Sequence, residues 1–390
     1  MTAAGALSRR NAFRERIVAD LISDLAVVFG GPSPEHDVSV LTGLQAARAL
    51  GARCLYWTKT GEWHEVSSAL EASAFVDGVP QGATRVQLLL ESGFTTEAGR
   101  FARPRPLGVD VAVVCCHGGP GEDGTLQAAL DLAGVRYTGP SLAGAALGMD
   151  KLAFADVVAQ AGLPALPRLL LDESTTTIGF TPPYIVKPRF GGSSIGIVAN
   201  VADLQTAVAL LGANRHLRAG AVIEPYRADL FDLQIAVRTW PELGLSAIER
   251  PLRTARAGGA AGEPDILGYA DKYVGGEGMA SAPRELPAQI DGELEGRLRE
   301  AATAVARLCS VRGVTRVDFL SDGRELFVNE INTIPGSLAR YLWIDPAVPF
   351  RTLLSDMVAE ARHRPAHHYT VEGADGTVLK GAASIAAKLA

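Results

Sequence analysis

Apolar runs and amphipathic stretches alternate along the chain. Residues 24–31 (DLAVVFGG) are apolar up to a glycine pair, as in a strand buried on both faces, and Val38–Leu50 follows with helical spacing. The same order returns with a strand over Val109–Cys116 ending at His117, a glycine-rich loop, and a helix over Thr125–Ala133. This repetition predicts an α/β unit with a parallel sheet, whose ligands belong at the carboxyl ends of the strands.

The rhythm changes near Gly139-Pro140. A helix is predicted from about Ala145 to Ala161, stopped by Gly162-Leu163-Pro164. Strands over Tyr184–Pro188 and Ser194–Ala199 flank the loop Phe190-Gly191-Gly192-Ser193, and a helix near Ala202–Leu211 and a strand Val222–Tyr226 complete a small unit. Beyond it, period-two patterning predicts neighbouring strands Asp232–Thr239 and Leu245–Arg250. Residues 255–283 are glycine-rich and weakly patterned, which suits a long functional loop. A helix carrying Leu294, Leu298, Ala301, Val305 and Leu308 on one face comes next. Strands Val314–Leu320 and Glu325–Ile331 meet at the turn Ser321-Asp322-Gly323, and a helix near Phe350–Ala361 closes the core. The boundaries predicted are an N-terminal extension 1–24, units at 25–139, 140–227 and 228–362, and an extension 363–390 with no assignable pattern.

Composition narrows the class. With 37 Lys+Arg against 43 Asp+Glu, the net charge of -6 excludes a broadly basic nucleic-acid binder or a polybasic membrane anchor. The mixture of 47% apolar and 21% charged residues is that of a globular protein with a large core. No apolar run is long enough to span a membrane. Residues 1–24 mix Arg9, Arg10, Arg14 and Arg16 with Glu15, Asp20 and Asp24, and read as a short amphipathic helix or a disordered lead, not a secretory signal. Cys54, Cys115, Cys116 and Cys309 form no CxxC pair and are expected as reduced core thiols, so the protein is expected to be cytoplasmic. The 42 glycines exceed the usual share of ~7% and point to many tight loops, where backbone amides meet ligands.

Three groups of residues carry candidate chemistry. Glu330 and Asn332 alternate in VNEINT and so share a strand face, and Asp318 joins them if the strands pair across Asp322-Gly323. Two acids and an amide offer only oxygens, which suits Mg²⁺ better than zinc; a solvated polar sheet face is the plain alternative. Arg316 shares the face of Asp318 and either stabilises developing negative charge or steadies Asp318 through a salt bridge. Lys187 ends the strand YIVK before the loop RFGGSS, where a cation and free amides suit a polyphosphate, although such loops are often only hairpins. No GKS or GKT follows, so this is not a Walker A loop. Lys151, read alone, is a phosphate ligand or a surface lysine. The first loop, FGGPSPEH, fails the GxGxxG pattern. Its Glu35 can hold an ammonium group or cap the helix starting at Val38, and His117 can bind a carboxylate or a backbone group.

In order along the chain, GGPSPEHDVS, HGGPGEDGT, YTGPSLAGAALGMDK, IVKPRFGGSSIGI, DKY, RVDF and NEINTIPG resemble the D-alanine–D-alanine ligase family of the ATP-grasp superfamily, over about residues 25–360. The resemblance implies an ATP-grasp fold, with an N-terminal parallel α/β substrate domain and two ATP-grasp subdomains of α/β and α+β type. It implies small-molecule amino-acid substrates, a homodimer, and a place in peptidoglycan and cell-wall biosynthesis. The implied chemistry is phosphorylation of a first D-alanine by ATP to an acyl phosphate, which the amine of a second D-alanine attacks. Lys151 and Lys187 would hold ATP phosphates, Lys272 would reach the γ-phosphate, Glu224 would face the adenine and Asp232 the ribose. Asp318, Glu330 and Asn332 would hold two Mg²⁺ ions. Glu35 would take the first ammonium, beside His117 and Glu122, and Glu35, Ser193 and Tyr273 would form a hydrogen-bonded trio. Arg316 and the Gly336 amide would stabilise the oxyanion.

The chain departs from the family near the acceptor. PGSLARYLW reads as a shortened form of the segment that grips the second carboxylate, leaving Ser337 and Leu338, or Arg340, to serve. Gly191 stands where the family often has an acid, and VGGEGMAS after Tyr273 lacks the family's aromatic and polar residues. Tyr273 rather than histidine argues against D-lactate as acceptor. The alternatives are a specialised ligase with another amine acceptor and a non-catalytic nucleotide-binding protein. A dehydrogenase would need the missing glycine fingerprint.

Overall fold

The computed structural model describes residues 24–98, 103–252, 283–366 and 371–380. Both the expected lead over 1–24, apart from Asp24, and nearly all of the expected long loop lie outside them, as do Lys272 and Tyr273.

The first sheet contains seven strands, and its centre follows the predicted pattern. Strand β1 (Leu25–Gly30) is buried along its whole length and enters helix α1 (His36–Leu50). It pairs in parallel with β2 (Arg53–Trp57) and with the later β6 (Val111–Val114). Between these lie β3 (Trp63–Val66), β4 (Thr84–Leu89) and β5 (Gly93–Thr96), which extend one side as an antiparallel meander. Sequence patterning misses β2 to β5, because four to six residues between polar turns give too few periods to register. After β6 come the short α2 (Gly119–Glu122), α3 (Thr125–Ala133) and β7 (Arg136–Tyr137), the parallel edge.

The helix expected over 145–161 is two helices, α4 (Leu142–Met149) and α5 (Lys151–Gln160). Asp150 separates them in an extended conformation and accepts from the N–H groups of Leu152 and Ala153, capping α5. Four strands form the second sheet: β8 (Leu169–Leu171), β9 (Tyr184–Pro188), β10 (Val198–Val201) and β11 (Ala221–Pro225), with α6 (Leu204–Ala213) against it. Strand β10 starts four residues later than expected. Ser193 and Ser194 take φ of 53° and 58°, so the loop coils toward the first sheet before pairing resumes.

The third sheet is antiparallel, in the order β14 (Arg284–Glu285), β13 (Gly244–Pro251), β12 (Phe231–Arg238), β15 (Val314–Ser321), β16 (Leu326–Asn332). Helix α7 (Gly292–Leu308), capped by Asp291, buries the predicted Leu294, Leu298, Ala301 and Val305 against it, leaving Leu308 exposed. Helix α8 (Phe350–His363) packs back onto the first sheet, so one apolar cluster joins Val27 and Val113 to Leu353 and Met357. All four cysteines are free and buried, as expected. Among the described residues no helix is long and apolar enough to cross a membrane.

Candidate active site

The β1–α1 loop delivers Glu35 to the point where the three sheets meet. Glu35 makes no capping bond to α1 through its side chain. Instead its Oε1 accepts from the hydroxyl of Ser193, on the glycine-serine loop of the second sheet. This contact needs room: Gly118 has φ of 60°, and a Cβ there would fall 2.3 Å from Glu35 Oε2. Two members of the expected trio are therefore together, and the third, Tyr273, lies outside the described residues.

His117 leaves β6 fully buried, with Nδ1 2.7 Å from the Ile334 carbonyl oxygen and Nε2 2.8 Å from Thr42 Oγ1. A carbonyl can only accept, so Nδ1 carries the proton, while the Thr42 hydroxyl lies between Nε2 and the Val38 carbonyl oxygen, 3.1 Å away. Burial lowers the His117 pKa against the pull of Glu35. Of its two expected partners the ring thus takes the backbone, and it ties the N-terminal sheet to the segment leading to Gly336. Glu122 does the same: its Oε2 accepts from Gly118 N–H at 3.0 Å and its Oε1 from Ile334 N–H at 2.8 Å. Burial, reinforced by Glu35, pushes its carboxyl up to about 7.

Lys151 and Lys187 are both buried, so neither is a surface lysine. Lys151 donates to the Gly191 carbonyl, and burial lowers its pKa while Glu330 resists. Lys187 lies 2.9 Å from Glu224 Oε2, and the buried Arg168 donates from Nε to Glu224 Oε1 at 2.7 Å. Burial alone would raise the Glu224 carboxyl, but the two cations outweigh it and hold the pKa at about 2. Both Glu224 oxygens are engaged by cations, and Glu224 lines the same cavity as Lys187 and Asp232. Arg168 escapes sequence reading; its only signal is a charge beside the apolar run Leu169–Leu171. Asn329 escapes it too. It sits at the irregularity between the pairs Asp318–Glu330 and Phe319–Val328, and this extra residue turns its side chain toward Lys187 and Arg168.

On the third sheet the expected alignment is present. Asp318 stands opposite Glu330, and Arg316 opposite Asn332. Arg316 grips Asp318 with two bonds, Nε to Oδ1 at 2.6 Å and Nη2 to Oδ2 at 2.7 Å, and Asn332 Nδ2 adds a third at 3.1 Å. The salt-bridge role foreseen for Arg316 is therefore built in. Among the described residues no three His, Cys, Asp or Glu side chains gather in a metal nest; Asp318 and Glu330 supply two carboxylates here and Asn332 an amide.

These groups line two adjoining cavities. One contains Glu35, His117, Glu122, Arg316 and Gly336. The other contains Lys187, Glu224, Asp232 and Asp318. Lys151, Gly191, Gly192, Ser193, Gln234 and Glu330 belong to both and form their common wall. Neither Ser337 nor Leu338 lines either cavity. Ser337 donates its N–H to Thr42 Oγ1 at 3.1 Å, and Leu338 is buried in the apolar cluster. Arg340 is exposed, with its guanidinium 5.5 Å from the ring centre of Phe350.

Comparison with known proteins agrees with this arrangement. Residues 24–140 match the family model of the D-Ala–D-Ala ligase N-terminus, and residues 145–359 that of its C-terminus. A D-alanine–D-alanine ligase of Bradyrhizobium sp. (strain ORS 278) is 31% identical over 366 residues, covering 88% of this chain and 96% of the relative. That of Mycolicibacterium smegmatis is 31% identical over 367 residues, covering 86% and 95%. In fold, the chain resembles the D-alanine–D-alanine ligases of Coxiella burnetii (TM-score 0.70, 20% identity, 87% and 94% covered) and Helicobacter pylori (TM-score 0.68, 22% identity, 88% and 99% covered). With both halves matched and the family's motifs gathered around one pair of cavities, the chain belongs to the D-alanine–D-alanine ligase family.

Proposed function

We propose that this protein is an ATP-dependent carboxylate–amine ligase that joins D-alanine to D-alanine through an acyl phosphate. The shared wall between the cavities carries the reading, because a phosphoryl group held on one side has a carboxylate within reach on the other. Lys151 and Lys187 hold the ATP phosphates, and Asp232 the ribose. Glu224 acts by fixing Lys187 beside the nucleotide. The first D-alanine sets its ammonium against Glu35, in the pocket made by His117 and Glu122. Its carboxylate oxygen attacks the γ-phosphorus, the bond to ADP breaks, and an acyl phosphate forms. The amine of the second D-alanine attacks the carbonyl carbon, phosphate leaves, and the amine gives up its extra protons. Arg316 and the Gly336 N–H steady the negative charge of the tetrahedral centre, in a site that must exclude water to spare the acyl phosphate.

Asp318, Glu330 and Asn332 fit Mg²⁺, since they present oxygens from one sheet face beside the phosphate-binding lysines. Such ions, when bound, neutralise phosphate charge. Lys272 and Tyr273 keep the roles the resemblance implies, as do the units at 25–139, 140–227 and 228–362, a homodimeric state and a cytoplasmic location.

The test is incubation with ATP, Mg²⁺ and a panel of D- and L-amino acids, with mass spectrometry for dipeptide and assays for ADP and phosphate. D-Alanine alone should yield D-alanyl-D-alanine, ADP and phosphate in equal amounts. No phosphate from D-alanine, with turnover on another amine, would reassign the substrate; nucleotide binding without any dipeptide would reject a ligase.

A further inference from the structure

A polar row crosses the third sheet beyond the residues used so far. Glu330 pairs with Asp318, Asp318 with Gln234, and Gln234 with Glu249, so the four face the same way from four adjacent strands. Two strand spacings, about 10 Å, separate the backbones of Glu249 and Asp318. Gln234 and Glu249 are 6% and 4% exposed, and both line the amino-acid cavity. Arg284, also in that lining, bonds Glu249 Oε1 through Nη1 at 3.0 Å and lies 4.8 Å from the ring centre of Tyr341.

The hydrogen bonding here is incomplete in a specific way. Gln234 turns its Nε2 to Asp318 Oδ2 at 3.4 Å, which leaves its Oε1 as the outstanding atom. That oxygen and Glu249 Oε2 are buried and have no hydrogen-bond partner among the described residues. The Tyr341 hydroxyl borders Glu249 and Arg316. Buried polar atoms are rarely left unpaired, and two pure acceptors on one cavity wall call for a group with several N–H donors. An ammonium has three, and the guanidinium beside it matches a carboxylate. An α-amino acid carries both groups on one carbon.

We propose that Gln234 and Glu249 receive the ammonium of the second amino acid and Arg284 its carboxylate, making these three residues the acceptor subsite and a determinant of amino-acid over hydroxy-acid acceptors. The inference rests on the ligase reading above. It also answers the loss of Ser337 and Leu338 from the cavity wall, since the carboxylate grip moves from the segment after Gly336 to the β13–β14 edge.

The experiment uses the full chain with ATP, Mg²⁺ and D-alanine. It follows dipeptide and, with hydroxylamine added, the hydroxamate that traps the donor's acyl phosphate without needing the acceptor subsite. In Glu249→Gln, dipeptide formation should fall roughly 30-fold through the KM of the second D-alanine, as expected for a lost bond to a charged group. Hydroxamate should fall far less, and use of D-lactate relative to D-alanine should rise about tenfold. Gln234→Met, which keeps side-chain length and removes the acceptor oxygen, should move the same way and decides the matter if Glu249→Gln does not fold. Parallel loss of dipeptide and hydroxamate, or an unmoved acceptor KM, would overturn the subsite. Wild-type protein that gives no hydroxamate from D-alanine would overturn the ligase reading itself.

Discussion

The carboxylate of Glu122, on the first sheet's side of the cavity, accepts the backbone N–H of Ile334, on the third sheet's side, at 2.8 Å. His117 binds the carbonyl of the same residue, so both polar groups of the Ile334 backbone are held by side chains from the other unit. This clasp fixes the approach to Gly336, whose amide faces the reaction centre on the proposed mechanism.

Glu122 makes the clasp pH-dependent. Its folded value of about 7 lies above the ordinary 4.5, so the folded state binds a proton that the unfolded state releases. Its contribution to stability is complete below pH 4.5 and is lost as pH rises through 7. The shift corresponds to roughly 3 kcal/mol. His117 has the opposite sign, because its lowered pKa costs stability as pH falls below 6.5. Melting temperatures of wild type and Glu122→Gln should therefore diverge between pH 5 and 8, the wild type losing more; identical pH profiles would contradict the buried proton.

The Ser193–Glu35 bond should govern the first substrate. Removing a hydrogen bond to a charged group costs about 1.5–3 kcal/mol, so Ser193→Ala should raise the KM of the donor amino acid by roughly tenfold or more. Gly118→Ala should be more severe, since its Cβ would fall 2.3 Å from Glu35 Oε2 at a left-handed position. Separate fits of the two amino-acid KM values check both; unaltered donor binding in Gly118→Ala would mean that Glu35 does not hold the ammonium.

Glu330 is the carboxylate common to both cavities. Glu330→Gln should reduce ADP release by roughly 100-fold or more while leaving the melting temperature close to wild type. Chelation of divalent ions should stop the wild-type enzyme, and added Mg²⁺ should restore it. Near-normal turnover in the variant would remove Glu330 from the metal set.

Asp150 predicts a stability effect tied to nucleotide binding. It caps α5 and pairs with Arg189 through Nε at 2.8 Å and Nη2 at 2.6 Å. Asp150→Ala should cost about 1–2 kcal/mol for the cap, read as a lower urea midpoint. Because Lys151 is the next residue, the KM for ATP should rise as well; a stability loss with unchanged ATP affinity would separate the cap from the lysine.

The alternation of Glu330 and Asn332 puts both on one strand face, and the Asp322-Gly323 turn brings Asp318 opposite, so this cluster is legible from local spacing alone. The same logic reaches the core positions of α7, whose apolar face repeats at helical spacing. It cannot find Arg168 or Asn329. Arg168 matters because Glu224 approaches from another strand, and Asn329 because a pairing irregularity re-aims it; neither partner is local in sequence. Likewise, Ser337 and Leu338 are plausible by position after Gly336, yet the backbone turns them toward Thr42 and the core.

By itself, then, the sequence determined the order of the longer strands and helices, the glycine loops and the residue types suited to phosphate, Mg²⁺ and an ammonium. Periodicity and local spacing carry that information, because a strand's two faces and a helix's apolar stripe are set within a few residues. The tertiary structure decided which of those residues meet. It gave Glu35 to Ser193 and not to the helix cap, and His117 to a backbone carbonyl more than two hundred residues away. It paired Glu224 with two cations and left Gln234 and Glu249 with open acceptors. Burial and long-range pairing fix these outcomes, and they exist only once three sheets close around the same cavities.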